Sequence, residues 1–383
     1  MRLNITIQNY DKPLLFSILF LCAFGTIMLY SASWNESYIR SGGLTESLFL
    51  KGHLKRITLG FFCLFISLLI DYRSLKPVAP YFLMISISLL IMTKGYYLIH
   101  GINSPARWLN LGIIVIQTSD IARLSLIIFL AYYLDDIKTR IKNLHRGFLP
   151  CILAVGVTMT FIVIQPDFST AFMLGTIGIV IIFIAGAKLL HIFISLLFGI
   201  LLSIPIIYLK PYRWARIVSF FDKNDIQENG YQAHQALLSL GNGGGFGVGL
   251  GNSTEKNHLL PTPHTDFIFS IIGEELGLLM GTFPLLITFL VIFYRGLKIS
   301  QKCTDPFGIF LAIGISTNIV LYAFVNAAVA TGLFPVTGLP MPMISYGGSG
   351  MIINMIMIGI LLNISQAKRS INSGQNWSKL NFG

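Results

Sequence analysis

The sequence predicts an all-α polytopic membrane protein, with about ten transmembrane helices and one long extracytoplasmic loop between the seventh and eighth. Three observations predict this. Of 383 residues, 54% are hydrophobic and only 11% charged, against about 25% charged in a soluble domain. Apolar runs long enough to cross roughly 30 Å of hydrocarbon recur along the chain. Lys and Arg collect in alternate connecting segments, as the positive-inside bias requires.

The runs place spans at about 13–33, 56–71, 77–93, 117–134, 148–164, 168–185, 189–208, 267–293, 307–331 and 348–365. The first follows Asp11 and Lys12 and lacks a small-residue cleavage site, so it reads as a retained span rather than a leader. An even count puts both termini on one side. With the termini cytoplasmic, the inner segments hold fifteen Lys and Arg and the short outer loops six. That asymmetry selects this orientation. The connection at 209–266 then lies outside. It is longer than a structural link needs, and its aromatic residues, among them Trp214, Phe220 and Tyr231, argue against disorder. Residues 1–383 read as one membrane domain.

The net charge of +11 does not imply nucleic acid. The basic residues sit between apolar spans and form no aromatic-interleaved groove, so anionic lipid accounts for them. Cys22, Cys63, Cys151 and Cys303 have neither disulfide nor metal-site spacing. No internal repeat of the transporter kind is evident.

Five constellations carry possible chemistry. Asp266 follows a stiff Leu260-Pro-Thr-Pro-His-Thr run and precedes an apolar helix holding Glu274 and Glu275. Ionisable groups near a bilayer are costly and mark sites by default. Both a general base and a helix cap fit Asp266. At 100° per residue, Glu274 is the acid that can share its side of the helix. Asp120 and Arg123, three apart, share a helix face as an ion pair, either structural or tuning Asp266. Gln165-Pro-Asp167-Phe-Ser-Thr170 reads as an outer turn with a cap. Gly241 to Ser253 lacks the Gly-Lys-Ser/Thr ending of a phosphate loop, so its glycines serve close approach or a hinge, or offer exposed amides to a pyrophosphate. Gly332 to Ser349 holds too many Pro and Gly for a helix and reads as irregular backbone lining an outer cavity. Arg107 with Trp108, and Lys210, Arg213, Arg216 and Lys256, supply cations on that same side, suited to phosphate or simply solvated.

Together these stretches resemble the SEDS family of peptidoglycan glycosyltransferases, the FtsW, RodA and SpoVE proteins. The resemblance rests on Ser104-Pro-Ala-Arg-Trp-Leu-Asn-Leu-Gly112, Gln165-Pro-Asp167, Gly230-Tyr-Gln232, His264-Thr-Asp-Phe-Ile-Phe269, Gly273-Glu-Glu-Leu-Gly277 and Gly338-Leu-Pro to Ser345-Tyr-Gly-Gly-Ser349. Ile184-Ala-Gly-Ala-Lys188, Pro211-Tyr-Arg213 and Gly249-Leu-Gly-Asn-Ser253 look closer to the division type than to the elongation type. The resemblance implies polymerisation of lipid II on the outer face of the bacterial cytoplasmic (inner) membrane, for septal synthesis. It implies Asp266 as the essential acid, and Asp120 and Arg123 in place of the family's Glu and Lys. It implies substrate contacts among Arg107, Trp108, Gln165, Arg213, Arg216, Gln232, Lys256, His264, Thr265, Ser345 and Ser349. Its implied partners are a class B penicillin-binding transpeptidase and other division proteins, and a divalent cation is left open. Three positions depart from the family: Ala106 replaces one Arg, and Thr262 and His258 replace acids. A lipid II flippase, an elongation-type polymerase and a non-catalytic division scaffold stand as rival readings.

Overall fold

The structure, a computed structural model, describes residues 10–100, 107–110, 115–221, 230–257 and 260–367. Its helices are α1 (Lys12–Arg40), α2 (Leu48–Leu69), α3 (Ala79–His100), α4 (Thr118–Ile137), α5 (Leu149–Ile164), α6 (Phe168–Ile184), α7 (Leu189–Tyr208), α8 (Pro211–Phe221), α9 (Tyr231–Gly243), α10 (Ile268–Gly277), α11 (Phe283–Lys302), α12 (Pro306–Ala330) and α13 (Ser349–Ser365). Among the described residues, seven helical segments are long and apolar enough to cross a membrane, and α6 and α13 are apolar but shorter. Each expected span falls on helix. Helix α4 is set apart by Asp120, Arg123, Asp135 and Asp136.

Helix α12 packs against α11, α4 and α6, and α13 lies along α2. Apolar side chains from nearly every helix form one continuous core. Asn363 fixes the C-terminal end of α13. Its Nδ2 donates to Leu68 O at 2.7 Å and its Oδ1 accepts from Tyr72 N at 3.0 Å. Two backbone groups left free where α2 ends are thereby paired, as dry surroundings demand. Helix α7 is peripheral, with Ile192 its one buried residue, and presents Phe193, Phe198 and Leu201 outward as a lipid-facing span does.

The all-α membrane fold carries one small addition, and two expectations need correction. Trp108–Asn110 and Val115–Gln117 form a two-stranded antiparallel hairpin, β1 and β2, with Trp108 opposite Gln117. Aromatic and β-branched residues favour such a pair. The connection at 209–266 is not a loop throughout, because α8 and α9 occupy much of it. Helix α8 turns Tyr212, Trp214, Val218 and Phe221 outward and buries Arg213. That is the polarity of a helix lying at a membrane surface with its basic side against protein. Finally, 267–293 is not one helix. Helix α10 ends at Gly277, a π turn runs from Leu278 to Thr282, and α11 follows with Pro284 in its first turn. Kinks of this kind arise at π turns and at Gly and Pro.

The glycine run explains that break. Val248 N and Gly249 N donate to Glu274 O and Glu275 O at 2.9 and 3.0 Å, and Leu278 N and Leu279 N donate to Gly244 O and Gly245 O at 3.0 and 2.9 Å. The 244–249 backbone thus satisfies the groups freed at the end of α10, and these amides are not available to a phosphate. Gly277 has φ 75° and ψ −178°, a region essentially closed to other residues at about 1–3 kcal/mol. A Cβ there would sit 2.4 Å from Gly247 N. Gly277→Ala is therefore expected to destabilise by more than about 1–3 kcal/mol, read as a lowered thermal unfolding midpoint in detergent.

Candidate active site

Asp266 lies in the turn before α10. The cap position of that helix belongs to Phe267, which makes no side-chain cap bond, so Asp266 is not the helix cap. Its carboxylate faces a cavity of about 240 Å³ lined also by Arg107, Trp108, Asp120, Arg123, Asp167 and Tyr322. Segment 338–350 closes one wall, irregular as its Pro and Gly content requires. Gly338, at φ 71°, brings its backbone close: a Cβ there would lie 3.5 Å from Asp266 Oδ2. Another cavity, about 330 Å³, lies around the Asp11–Arg295 ion pair between α1 and α11 and contains none of the residues expected to bind substrate.

Burial pushes the Asp266 carboxyl above the usual carboxylate range, opposed by Arg216, by the neighbouring Thr265 hydroxyl and by Arg107. Partly withdrawn from water but held near two cations, it is a proton acceptor of raised basicity. Arg216 comes from α8 and donates from Nη1 to Val336 O at 3.3 Å. Arg107 donates to Pro166 O and lies 3.7 Å from Asp167 Oδ1. Asp167 caps α6 through Thr170 N at 3.3 Å and accepts from Gln117 Nε2 at 3.1 Å.

The α4 pair forms as its spacing suggests. Arg123 Nη2 stands 3.2 Å from Asp120 Oδ1, both nearly buried. Ser349 Oγ donates to Asp120 Oδ2 at 2.8 Å and accepts from Gln117 N at 2.9 Å. Arg123 also reaches Asn354 Oδ1 at 3.3 Å and lies over the Tyr322 ring at 4.4 Å. The pair lines the same cavity as Asp266, yet the cations acting on Asp266 itself are Arg216 and Arg107.

Several expected site residues lie elsewhere. Glu274 is not on the cavity wall. It accepts from Ser239 Oγ at 3.0 Å, Ser253 Oγ at 2.5 Å and Thr254 N at 3.0 Å, pinning the outer segment. The helical-wheel angle misleads here because Asp266 precedes the helix. Lys256 is committed to Glu275 Oε1 at 2.6 Å and Gly251 O at 2.7 Å; a buried paired ammonium does not serve pyrophosphate. Gln165 is fully buried and donates to Leu90 O at 2.8 Å. Arg213 donates to Ile206 O at 3.2 Å, and Gln232 sits on α9; neither lines the cavity. His264 packs on Phe49, ring centroids 4.3 Å apart, and Nδ1 lies 3.1 Å from Glu36 Oε2 without hydrogen-bond geometry. Burial lowers its pKa, with Glu36 opposing. Trp108, Thr265 and Ser345 do reach the wall. His258 lies outside the described residues. Sequence reasoning missed Asn326, Asn354 and Tyr322; amides in apolar helices were the available signal.

Among the described residues no three His, Cys, Asp or Glu side chains assemble as a metal ligand set. The oxygens of Asp120 and Asp167 are taken up by the cation, hydroxyl and amide donors just described. This donor set does not fit a protein-held divalent cation, and no step below uses one.

Fold and site define a multi-pass membrane protein whose helices enclose a polar cavity, where the half-buried Asp266 lies near two arginines and beside the buried Asp120 and Asp167. The chain belongs to the FtsW, RodA and SpoVE family of cell cycle proteins, whose model matches residues 12–370. It is 36% identical to a probable peptidoglycan glycosyltransferase FtsW of Geobacter sulfurreducens, over 94% of this chain and 96% of that one. It is 35% identical to stage V sporulation protein E of Bacillus subtilis, over 94% and 98%. Among solved structures it resembles a chain of a peptidoglycan synthase complex that coordinates polymerization and crosslinking, with TM-score 0.77 and 25% identity over 94% of this chain and 99% of that one. The rod shape determining protein RodA of Thermus thermophilus shares the fold, with TM-score 0.67 and 23% identity over 94% and 97%.

Proposed function

We propose that this chain is a peptidoglycan glycosyltransferase that polymerises lipid II into glycan strands on the outer face of the cytoplasmic membrane, for septal synthesis in cell division. The observation that carries this is the half-buried Asp266 carboxylate on the cavity wall, acted on by Arg216 and Arg107. Asp266 takes the proton of the acceptor's GlcNAc 4-hydroxyl. The freed oxygen attacks the anomeric carbon of the growing strand, the bond to undecaprenyl pyrophosphate breaks, and the pyrophosphate leaves with the electron pair. Arg107 and Arg216 offset its developing charge. Asp120 and Arg123 hold the floor of the cavity. Under this reading residues 1–383 form one domain with both termini cytoplasmic, and a class B penicillin-binding transpeptidase and other division proteins are its partners.

Strand synthesis from purified lipid II tests the reading; a protein that only moves lipid II across vesicles without making strands contradicts it. The base must be deprotonated, so activity falls as pH drops through the raised pKa of Asp266. Arg216 holds that pKa down. Arg216→Ala is therefore expected to move the acidic limb of the rate profile to higher pH. An unmoved limb argues against Asp266 as the titrating base.

A further inference from the structure

The chain leading into Asp266 has little regular structure to hold it, yet three successive carbonyls are each tied to a distant element. His264 O accepts from Tyr346 N at 2.9 Å. Thr265 O accepts from Ser345 Oγ at 2.6 Å. Asp266 O accepts from Asn326 Nδ2 at 2.8 Å. The same Asn326 amide donates its other proton to Leu339 O at 2.8 Å. Both neighbours are carbonyl oxygens, so the amide orientation follows from chemistry: only the NH2 end can face them. Ser345 Oγ likewise accepts from Met341 N at 2.8 Å, which leaves its proton for Thr265 O.

We propose that Asn326 and Ser345 are positioning residues for Asp266, acting as a clamp that joins the acid's turn to the 338–346 wall and holds both on α12. This rests on the reading of Asp266 as the base. Ser345 then acts on the acid's backbone rather than on substrate. Asn326 is 1% exposed in an otherwise apolar stretch of α12, a place where an amide is retained only with partners. The one side chain spans both irregular segments that border the acid. Removing it frees both at once. Misplacement by about 1 Å costs on the order of 10²-fold in rate.

A fold-only role is the alternative, and the structure supplies a matched control. Asn363 is also buried in a helix and also bonds two backbone groups, but at the C-terminal end of α13. Asn326→Ala and Asn363→Ala are each expected to lower the unfolding midpoint, the lost pairings being alike. Strand synthesis from purified lipid II then separates them. Asn326→Ala is expected to lower kcat about 10²-fold with KM changed less than about threefold, while Asn363→Ala keeps the parent kcat. The acidic limb for Asn326→Ala moves to lower pH, because burial is what raises the Asp266 pKa and an unclamped turn lets water in. The charges that face Asp266, Arg216 of α8 and Arg107 before β1, with the Asp120–Arg123 pair and Asp167 on the cavity wall, are untouched by either change. If Asn326→Ala does not fold, Ser345→Ala, which removes one tie, must lower kcat, and Ser345→Thr, which keeps the hydroxyl, must restore it. If Asp266→Asn is inactive while Asn326→Ala and Ser345→Ala turn over like Asn363→Ala, the clamp is overturned and the base stands. If Asp266→Asn itself keeps the parent rate, the reading of the base fails instead.

Discussion

Asp266→Asn is expected to lower strand synthesis at least about 10²-fold, the usual contribution of a positioned general base, without harming the fold. The amide keeps the shape of the side chain and loses only its basicity. Stability at neutral pH should be equal or higher. An acid whose pKa rises on folding binds its proton more tightly in the folded state. Stability therefore falls as pH rises from the unfolded value through the folded one, and above both the full penalty remains. Asp266 is such a group, raised by burial against the pull of Arg216 and Arg107. Replacing it with a neutral amide removes that penalty, a trade of stability against activity common at catalytic sites. An unfolding midpoint well below the parent's at pH 7 would contradict this account of the turn.

Lys256→Met is expected to cost about 3–5 kcal/mol, because it leaves Glu275 as an uncompensated buried charge. The pair is the most enclosed ion pair among the described residues, with side chains 1% and 0% exposed. Glu275 is otherwise held by Ser31 Oγ, at 2.7 Å. The damage should spread outward, since Lys256 follows the segment that Glu274 pins through Ser253 and Thr254. Replacing both partners, Lys256→Met with Glu275→Leu, should recover most of the loss, because exchanging a buried pair for apolar volume is often neutral. Thermal unfolding of the single and double variants in the same detergent decides it. A double variant no more stable than Lys256→Met would mean that the charges serve something besides each other.

What the sequence made legible follows range of interaction. The cost of charge in lipid exposed Asp266, and i,i+3 spacing exposed the Asp120–Arg123 pair, because both signals are local. The apolar runs located the helices for the same reason. Partners far apart in the chain stayed hidden. Asn326 meets Asp266 across 60 residues and Arg123 meets Asn354 across 231, and no periodicity encodes that. Glu274 lies off the cavity wall because Asp266 stands outside α10, where the 100° spacing between helical residues does not hold. Lys256 looked like a free cation because its burial against Glu275 depends on how the glycine run folds back. Helices α8 and α9 were missed as helices: their length is modest, and the arginines of α8 read as loop charge when they are the inward face of a surface helix.

The most direct test of the central claim is strand synthesis from purified lipid II by the parent and Asp266→Asn proteins, side by side, at matched folded fraction and pH 7. Glycan strands are expected from the parent, and a rate at least about 10²-fold lower from the variant. Strands made at the parent rate by Asp266→Asn would contradict that claim.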